Sequence, residues 1–423
     1  MGALIADNDA VASSCELVAM STKRPSKISG AFHAVPASVW VLGFVSLLMD
    51  TSSELINSLL PVFLVTVVGT STVTVGLIEG VGEATAAIGK AFSGVLSDWL
   101  GKRKILAALG YGLSALTKPM FPLAGTAFEV LMARFFDRIG KGIRDAPRDA
   151  LIADITPYEA RGAAYGIRQA LDTAGAIGGP LLAMLLMVVY ANNFRAVFWW
   201  AVAPAVLCVL LIIVGVSEPG GVRRASQRNT WPIKTAQFAR LPVGYWVAIG
   251  IGCVYTLARF SEAFLILKAQ SAGLGLALLP FVYVWMNLIY SLIAGPAGAL
   301  SDAIGRPKVL LAGLTALVVA DISLAFVSGW LGVWLGVGLW GVYLGLTQGL
   351  LPALVADTAP EDLRGTAFGL FNLVTGGALL IASLLAGWLW SAYGPMATFA
   401  AGAAFSTVAA AGMAARINWR RGP

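Results

Sequence analysis

The chain has 423 residues, of which 58% are hydrophobic and 12% charged, about half the roughly 25% charge content of soluble globular proteins. That balance excludes a soluble protein of two or three domains, and apolar runs that are continuous rather than alternating exclude a transmembrane β-barrel. The formal charge of +7 falls mostly in loops on one side of the predicted spans, so it points to membrane topology rather than to nucleic acid.

Residues 1–36 are mixed and polar, with Lys23, Arg24 and Lys27, and read as a cytoplasmic tail without a cleavable signal. Runs of about 20 apolar residues, enough to cross a hydrocarbon layer about 30 Å thick, then recur along the chain. They predict spans near 38–66, 74–97, 105–124, 127–146, 162–189, 195–216, 243–267, 275–297, 308–328, 331–355, 364–390 and 394–415. The seventh carries Arg259 and Glu262, which weaken its hydropathy. Basic residues fix the orientation. Lys102, Arg103, Lys104, Arg144, Arg148, Arg161, Arg223, Arg224, Arg306, Lys308, Arg364 and Arg416 fall on one side, against Arg195 and Lys268 on the other. Both termini are therefore expected in the cytoplasm, with 37–216 and 243–415 as two six-helix bundles, 217–242 as a cytoplasmic linker and 416–423 as a tail. Cys15, Cys208 and Cys253 have no metal or disulfide spacing, and His33, the single histidine, precedes the first span.

An internal duplication organises the chain. GVLSDWLGKRK at 94–104 returns as GALSDAIGRPK at 298–308, placing Asp302 204 residues after Asp98. A second block, D-x-x-P-x-x-x-R-G-x-A-[YF]-G, begins at Asp154 and again at Asp357, with Arg161 and Arg364 203 residues apart. Two independent blocks in near-equal register define two homologous halves, an arrangement that places a substrate site at the interface of the halves.

GVLSDWLGKRK resembles the G-x-L-a-D-r-x-G-r-[kr] loop signature of the major facilitator superfamily, with Trp99 where an arginine is usual. The resemblance implies an all-α fold of twelve transmembrane helices in two pseudo-symmetric bundles. It also implies a gating role for Gly94, Asp98, Gly101, Lys102 and Arg103, with Asp302, Gly305 and Arg306 as the second-half counterparts. Arg138-x-x-Lys141-Gly142 in span four resembles the family's R-x-x-q-G signature, whose arginine is associated with proton transfer. GAIGGPLLA at 175–183 resembles a span-five signature of the antiporters, carried here by Gly175, Gly179 and Pro180.

Charges inside spans are functional candidates by default. Arg134 and Arg138 share one helical face, and Asp137 and Lys141 have the spacing of an ion pair. Asp50 and Glu54 in span one are the first candidates for proton carriers, with Arg138 as their cation; Glu83, Arg168 with Asp172, and Arg259 with Glu262 follow. Glu79 is expected near the outer surface, and Asp321 stands isolated in span nine. Tyr111, Tyr255, Tyr283, Trp285, Tyr290, Tyr343, Asn287, Gln348 and Asn372 are candidates to line a cavity; Trp199, Trp200, Trp388 and Trp390 are candidate interfacial anchors. The expected function is proton-coupled efflux of a small molecule by antiport across the inner membrane, by a monomer with no metal site and no cofactor other than the proton. The alternative is an importer or exchanger of a small organic anion or metal chelate, favoured by the cationic set Lys118, Arg134, Arg138, Arg168 and Arg259. No nucleophile–base motif or phosphate loop suggests an enzyme.

Overall fold

The computed structural model describes residues 35–216, 241–360 and 363–419, so the expected tails and linker lie wholly or largely outside it. Every regular element among the described residues is helical. The N-terminal half comprises α1 (Ala37–Asn57), α2 (Leu60–Thr66), α3 (Thr72–Leu100), α4 (Arg103–Thr117), α5 (Met120–Leu123), α6 (Ala127–Ile155), α7 (Arg161–Val189), α8 (Phe194–Trp199) and α9 (Val202–Gly215). The C-terminal half comprises α10 (Val243–Ala258), α11 (Ala263–Ser271), a 3-10 turn at Leu276–Leu278, α12 (Phe281–Ile304), α13 (Arg306–Phe326), α14 (Gly329–Thr347), α15 (Leu350–Thr358), α16 (Arg364–Tyr393) and α17 (Pro395–Trp419).

Short breaks join neighbouring helices into longer passes, such as α1–α2 and α10–α11. Among the described residues nine passes are long and apolar enough to cross a membrane. The remaining three expected spans correspond to α3, α4–α5 and α6. Each falls short for a visible reason: α3 carries Glu79, Glu83 and Lys90, α4 is 15 residues long, and α6 carries a dense run of charge.

Local chemistry sets the helix ends. The Ser71 hydroxyl accepts from the Thr74 N–H at the start of α3, and Thr126 with Glu129 forms a capping box on α6. Gly101 and Gly305, equivalent in the duplication, adopt φ +62° and +88° where the chain turns between helices. A side chain there would be strained, so the glycines of the repeated loop have a backbone reason.

The interior is apolar, as in a soluble protein, but large apolar side chains also face outward and several charges are buried. Leu116 is 76% exposed and Val214 85%, whereas Lys118 and Arg134 are 1% and 3% exposed. Apolar atoms face lipid and charges face protein, as a hydrocarbon solvent requires. Within the first half α1 packs on α7 and α9, and α6 on α3 and α4; within the second, α13 packs on α14 and α17, and α10 on α16. The halves meet where α3 runs along α16, α7 meets α12 and α2 meets α11. Small residues line the α3–α16 seam: a Cβ at Gly80 would fall 3.0 Å from Leu380 Cα, and one at Gly376 2.9 Å from Ala87 Cβ.

Candidate functional site

Helix α6 supplies most of the charge. Arg134, Asp137, Arg138, Lys141, Arg144 and Arg148 recur every three or four residues, which puts them along one side of a 3.6-residue helix. That side is turned into the bundle: Arg134, Asp137, Arg138, Arg144 and Arg148 are each 3–5% exposed. The expected span end at 146 is corrected here, since the helix continues to Ile155. Arg148, beyond the expected span end, is a buried helix residue instead, and Arg144 just inside that end is buried too. Arg144 donates to Ser114 Oγ at 2.7 Å and lies 4.8 Å from the Tyr111 ring centre. Arg148 donates to Ser46 Oγ at 3.1 Å and pairs with Asp149 at 3.1 Å.

Three cations find acidic partners on another helix. Arg134 pairs with Glu79 at 2.6 Å and also donates to Asn57, whose amide donates to Glu54 at 3.1 Å. Arg138 pairs with Glu83 at 3.0 Å. Lys118 at the end of α4 donates to Asp137 at 2.8 Å and to Ser53 at 2.9 Å. Within α7, by contrast, Arg168 pairs with Asp172 at 2.5 Å and also approaches Asp149 of α6 at 3.7 Å. In the second half Arg259 pairs with Glu262 at 3.2 Å across the break between α10 and α11.

Several expected pairings are thereby replaced. Asp137 takes Lys118 rather than Lys141, because Asp137 and the end of α4 are turned toward each other within the bundle. Arg138 takes Glu83 on α3 rather than Asp50 or Glu54. Glu79 is 5% exposed and held by Arg134, not placed at an outer surface. Arg103 of the gating loop folds back to pair with Asp154 at 2.7 Å and to donate to the Ala150 carbonyl at 2.8 Å. The two duplicated blocks are thus joined in the first half. At the equivalent of Arg103 the second half has Pro307, which cannot form this pair. Trp390, expected as an interfacial anchor, packs inside against Phe264 and Phe399; Trp199, Trp200 and Trp388 are 46–50% exposed. The side chains of Asp98, Asp357 and Arg364 lie outside the described set.

Two adjoining cavities lie between the halves. One, of about 230 Å³, is bounded by Glu54, Asn57, Glu79, Glu83, Arg134, Arg138, Lys141, Arg259, Ser261, Glu262, Tyr283, Gln348 and Leu379. The other, of about 350 Å³, shares Glu83, Lys141, Arg259, Gln348 and Leu379 and adds Lys90, Asp145, Tyr255, Tyr343, Asn372 and others. Together they are lined by side chains from both halves. Lys141 borders both and, among the described residues, has no ion-pair or hydrogen-bond partner. Of the expected cavity aromatics, Tyr255, Tyr283 and Tyr343 border the space; Tyr111 lies within the first bundle, and Trp285 donates to the Trp334 carbonyl.

Asp50 and Glu54 face α7 at the glycines singled out from sequence. A Cβ on Gly175 would lie 3.0 Å from Asp50 Cβ, and one on Gly179 3.0 Å from Glu54 Cβ. Gly175 and Gly179 therefore allow the close approach that places both acids. Glu54 borders the cavity; Asp50 lies behind it, within electrostatic reach of Lys141, Arg144 and Arg148. Asp302 is exposed, and Gly94 leaves room for ordinary contact with Ala146 Cβ at 3.6 Å. Asn57 was not singled out from sequence; its place beside an in-span Glu54 was the available signal. Among the described residues no cluster of metal-ligating side chains occurs.

A family model of the Major Facilitator Superfamily matches residues 42–295 and 247–423. The chain belongs to that superfamily and is a membrane transport protein. It is 33% identical over 377 residues to the uncharacterised MFS-type transporter MJ1317 of Methanocaldococcus jannaschii, covering 88% of this chain and 92% of that one. It is 24% identical over 352 residues to the cis,cis-muconate transport protein of Acinetobacter baylyi, covering 78% and 82% respectively. The fold is shared with the crystal structure of the nucleoside transporter NupG, at TM-score 0.70 and 14% identity, over 90% of this chain and 99% of that one.

Proposed function

We propose that this chain is a secondary active transporter of the cytoplasmic membrane that moves a small polar molecule by alternating access, in exchange for protons. The observation that supports this reading is the cavity between the halves, bordered by Glu54, Glu83 and Glu262 with Arg138, Lys141 and Arg259. Substrate bound there touches side chains of both bundles, so its binding energy favours one arrangement of the bundles over another. In this reading residues 37–216 and 243–415 are the two moving units, 217–242 links them in the cytoplasm, and a monomer suffices. Asp50 and Glu54 take up and release the proton, and the close α1–α7 approach at Gly175 and Gly179 makes that exchange sensitive to helix movement. The repeated loops, with Arg103 on Asp154, hold one arrangement until the cavity is occupied.

The test uses purified protein in vesicles with an imposed pH gradient, with ethidium and cis,cis-muconate as alternative probes. Glu54→Gln is expected to abolish gradient-driven movement while leaving equilibrium counterflow. Retention of gradient-driven movement in both Glu54→Gln and Asp50→Asn removes the proton-coupled reading.

A second reading, exchange of a small organic anion, is favoured by Lys141, the cation bordering both cavities without a partner among the described residues. It agrees with the substrate for which the muconate relative is named. Lys141→Gln then raises the half-saturation concentration for muconate by about tenfold, the equivalent of roughly 1.4 kcal/mol, and leaves ethidium unaffected. Equal effects on both probes count against an anion site.

A further inference from the structure

A second polar group is buried in the C-terminal bundle, away from the charged lining of the cavity. Asp321 on α13 is fully buried, and neither carboxyl oxygen has a hydrogen-bond partner. Its surroundings come from three other passes. On α17 the carboxyl sits against Gly402, where a Cβ would meet Asp321 Oδ2 at 2.7 Å and Phe260 Cε1 at 3.0 Å. One turn further along α17, Ser406 is fully buried and its hydroxyl is also unpartnered. Such a hydroxyl in a helix ordinarily bonds back to the carbonyl four residues earlier, as Thr407 does to Ala403. On α14, which meets α13 where Gly336 lies over Ala320 and Leu324, the indole N–H of buried Trp340 is unpartnered too. Its ring lies 5.3 Å from that of Phe260.

Asp321, with two idle oxygens, and Phe260 both lie against Gly402, while the two idle donors flank them: Ser406 one turn along α17 from Gly402, and Trp340 with its ring against Phe260. No cation is paired with Asp321 among the described residues. The titratable group facing it from α14 is Tyr343, which borders the cavity; α17 brings none between Pro395 and Ala415. On α12, Tyr283 borders the cavity rather than this region. An ionised carboxylate without a partner is costly in such surroundings, whereas Ser406 and Trp340 are donors that an ionised Asp321 would recruit.

Phe260 connects this region to the cavity. It lies in the break between α10 and α11, where Arg259 and Glu262 border the cavity and Ser261 N–H donates to Ser383 Oγ at 3.2 Å. The same four-residue break thus touches the substrate space on one side and the isolated acid on the other.

We propose that Asp321 is a second proton-binding site, built by α13, α14 and α17, whose occupancy sets the geometry of the α10–α11 break through Phe260. The idea rests on the alternating-access reading above and adds a site to it. With the proton bound, the acid packs against Phe260 and the two donors stay idle. On release of the proton, Ser406 and Trp340 turn toward the carboxylate, Phe260 shifts, and Arg259 and Glu262 move with the break.

Two measurements test the proposal without requiring an identified substrate. Infrared difference spectra of the full chain in lipid vesicles, between acid and alkaline buffer, contain the C=O stretch of a buried carboxylic acid. Asp321→Asn removes that band, and Gly402→Ala, which places a methyl group on the carboxyl, shifts it. A spectrum unchanged by both variants overturns the site.

For the coupling, Cys15, Cys208 and Cys253 are replaced by alanine and Gln348→Cys reports on the cavity. Its maleimide labelling rate, relative to glutathione in the same buffer, changes with pH in this background. Asp321→Asn holds the rate at its acid value, and Phe260→Ala keeps the infrared band but loses the pH response. A response that persists in Asp321→Asn overturns the coupling. If Glu54→Gln alone abolishes gradient-driven transport and Asp321→Asn alters neither spectrum nor labelling, this proposal fails and the proton-coupled reading stands.

Discussion

Lys118→Met is expected to lower stability by about 3–5 kcal/mol, measured as unfolding of the detergent-solubilised protein followed by tryptophan fluorescence. The reason is the company that Lys118 keeps. Its ammonium group is 1% exposed and bonds Asp137 at 2.8 Å and Ser53 at 2.9 Å, tying α4 to α6 and α1. Removing it leaves the Asp137 carboxylate in the bundle with no ion-pair partner on another helix. An uncompensated buried charge costs much more than the loss of the pair as a whole. Adding Asp137→Asn to Lys118→Met should therefore restore most of the lost stability. If the single variant unfolds like the parent, the pair is hydrated in the membrane and the interior is wetter than its packing implies.

The second large effect is expected at Gly179→Val. A Cβ at that position would lie 2.6 Å from the Thr51 carbonyl oxygen and 2.9 Å from the Leu55 nitrogen, both backbone atoms that cannot rotate aside. Helices α1 and α7 must separate, at a cost of about 1–3 kcal/mol for overpacking. Transport should suffer beyond that cost, because the displaced stretch of α1 carries Glu54. Gly178→Ala is the matched control: its nearest neighbour would be Thr51 Oγ1 at 3.9 Å, an ordinary contact. Similar transport by the valine and control variants, normalised to folded protein, would show that close α1–α7 packing does not position the acid.

How much of this was legible in the sequence depended on the range of the interaction. Apolar runs and the duplicated loops gave the helical passes, since both are local patterns read along one segment. Gly101 and Gly305 were likewise readable, because a tight turn between helices has few solutions. Arg259 with Glu262 and Arg168 with Asp172 sit within about one turn of each other, and the helical period was enough to match them. The same reasoning failed for Asp137. Lys141 is available four residues away, but rotation of α6 within the bundle brings Lys118, 19 residues earlier in the chain, to the carboxylate. Partner choice between helices is a tertiary matter, and one sequence does not encode it as a spacing. Arg148 was misplaced for a related reason: the helix outlasts its apolar run, so hydropathy ended the span at 146, before the last buried arginine.

The uneven placement of charge has a consequence for how the chain is made. Among the described residues nine passes are long and apolar enough to cross a membrane, whereas α3, α4–α5 and α6 are shorter or more heavily charged. These three hold the Lys118–Asp137, Arg134–Glu79 and Arg138–Glu83 pairs. Because α6 supplies one partner of every pair, the charges of α3 and α4 are expected to find their partners only once synthesis has passed Ile155. Insertion of the first half is therefore expected to be more cooperative than that of the second, which truncated chains ending before and after Ile155 would check.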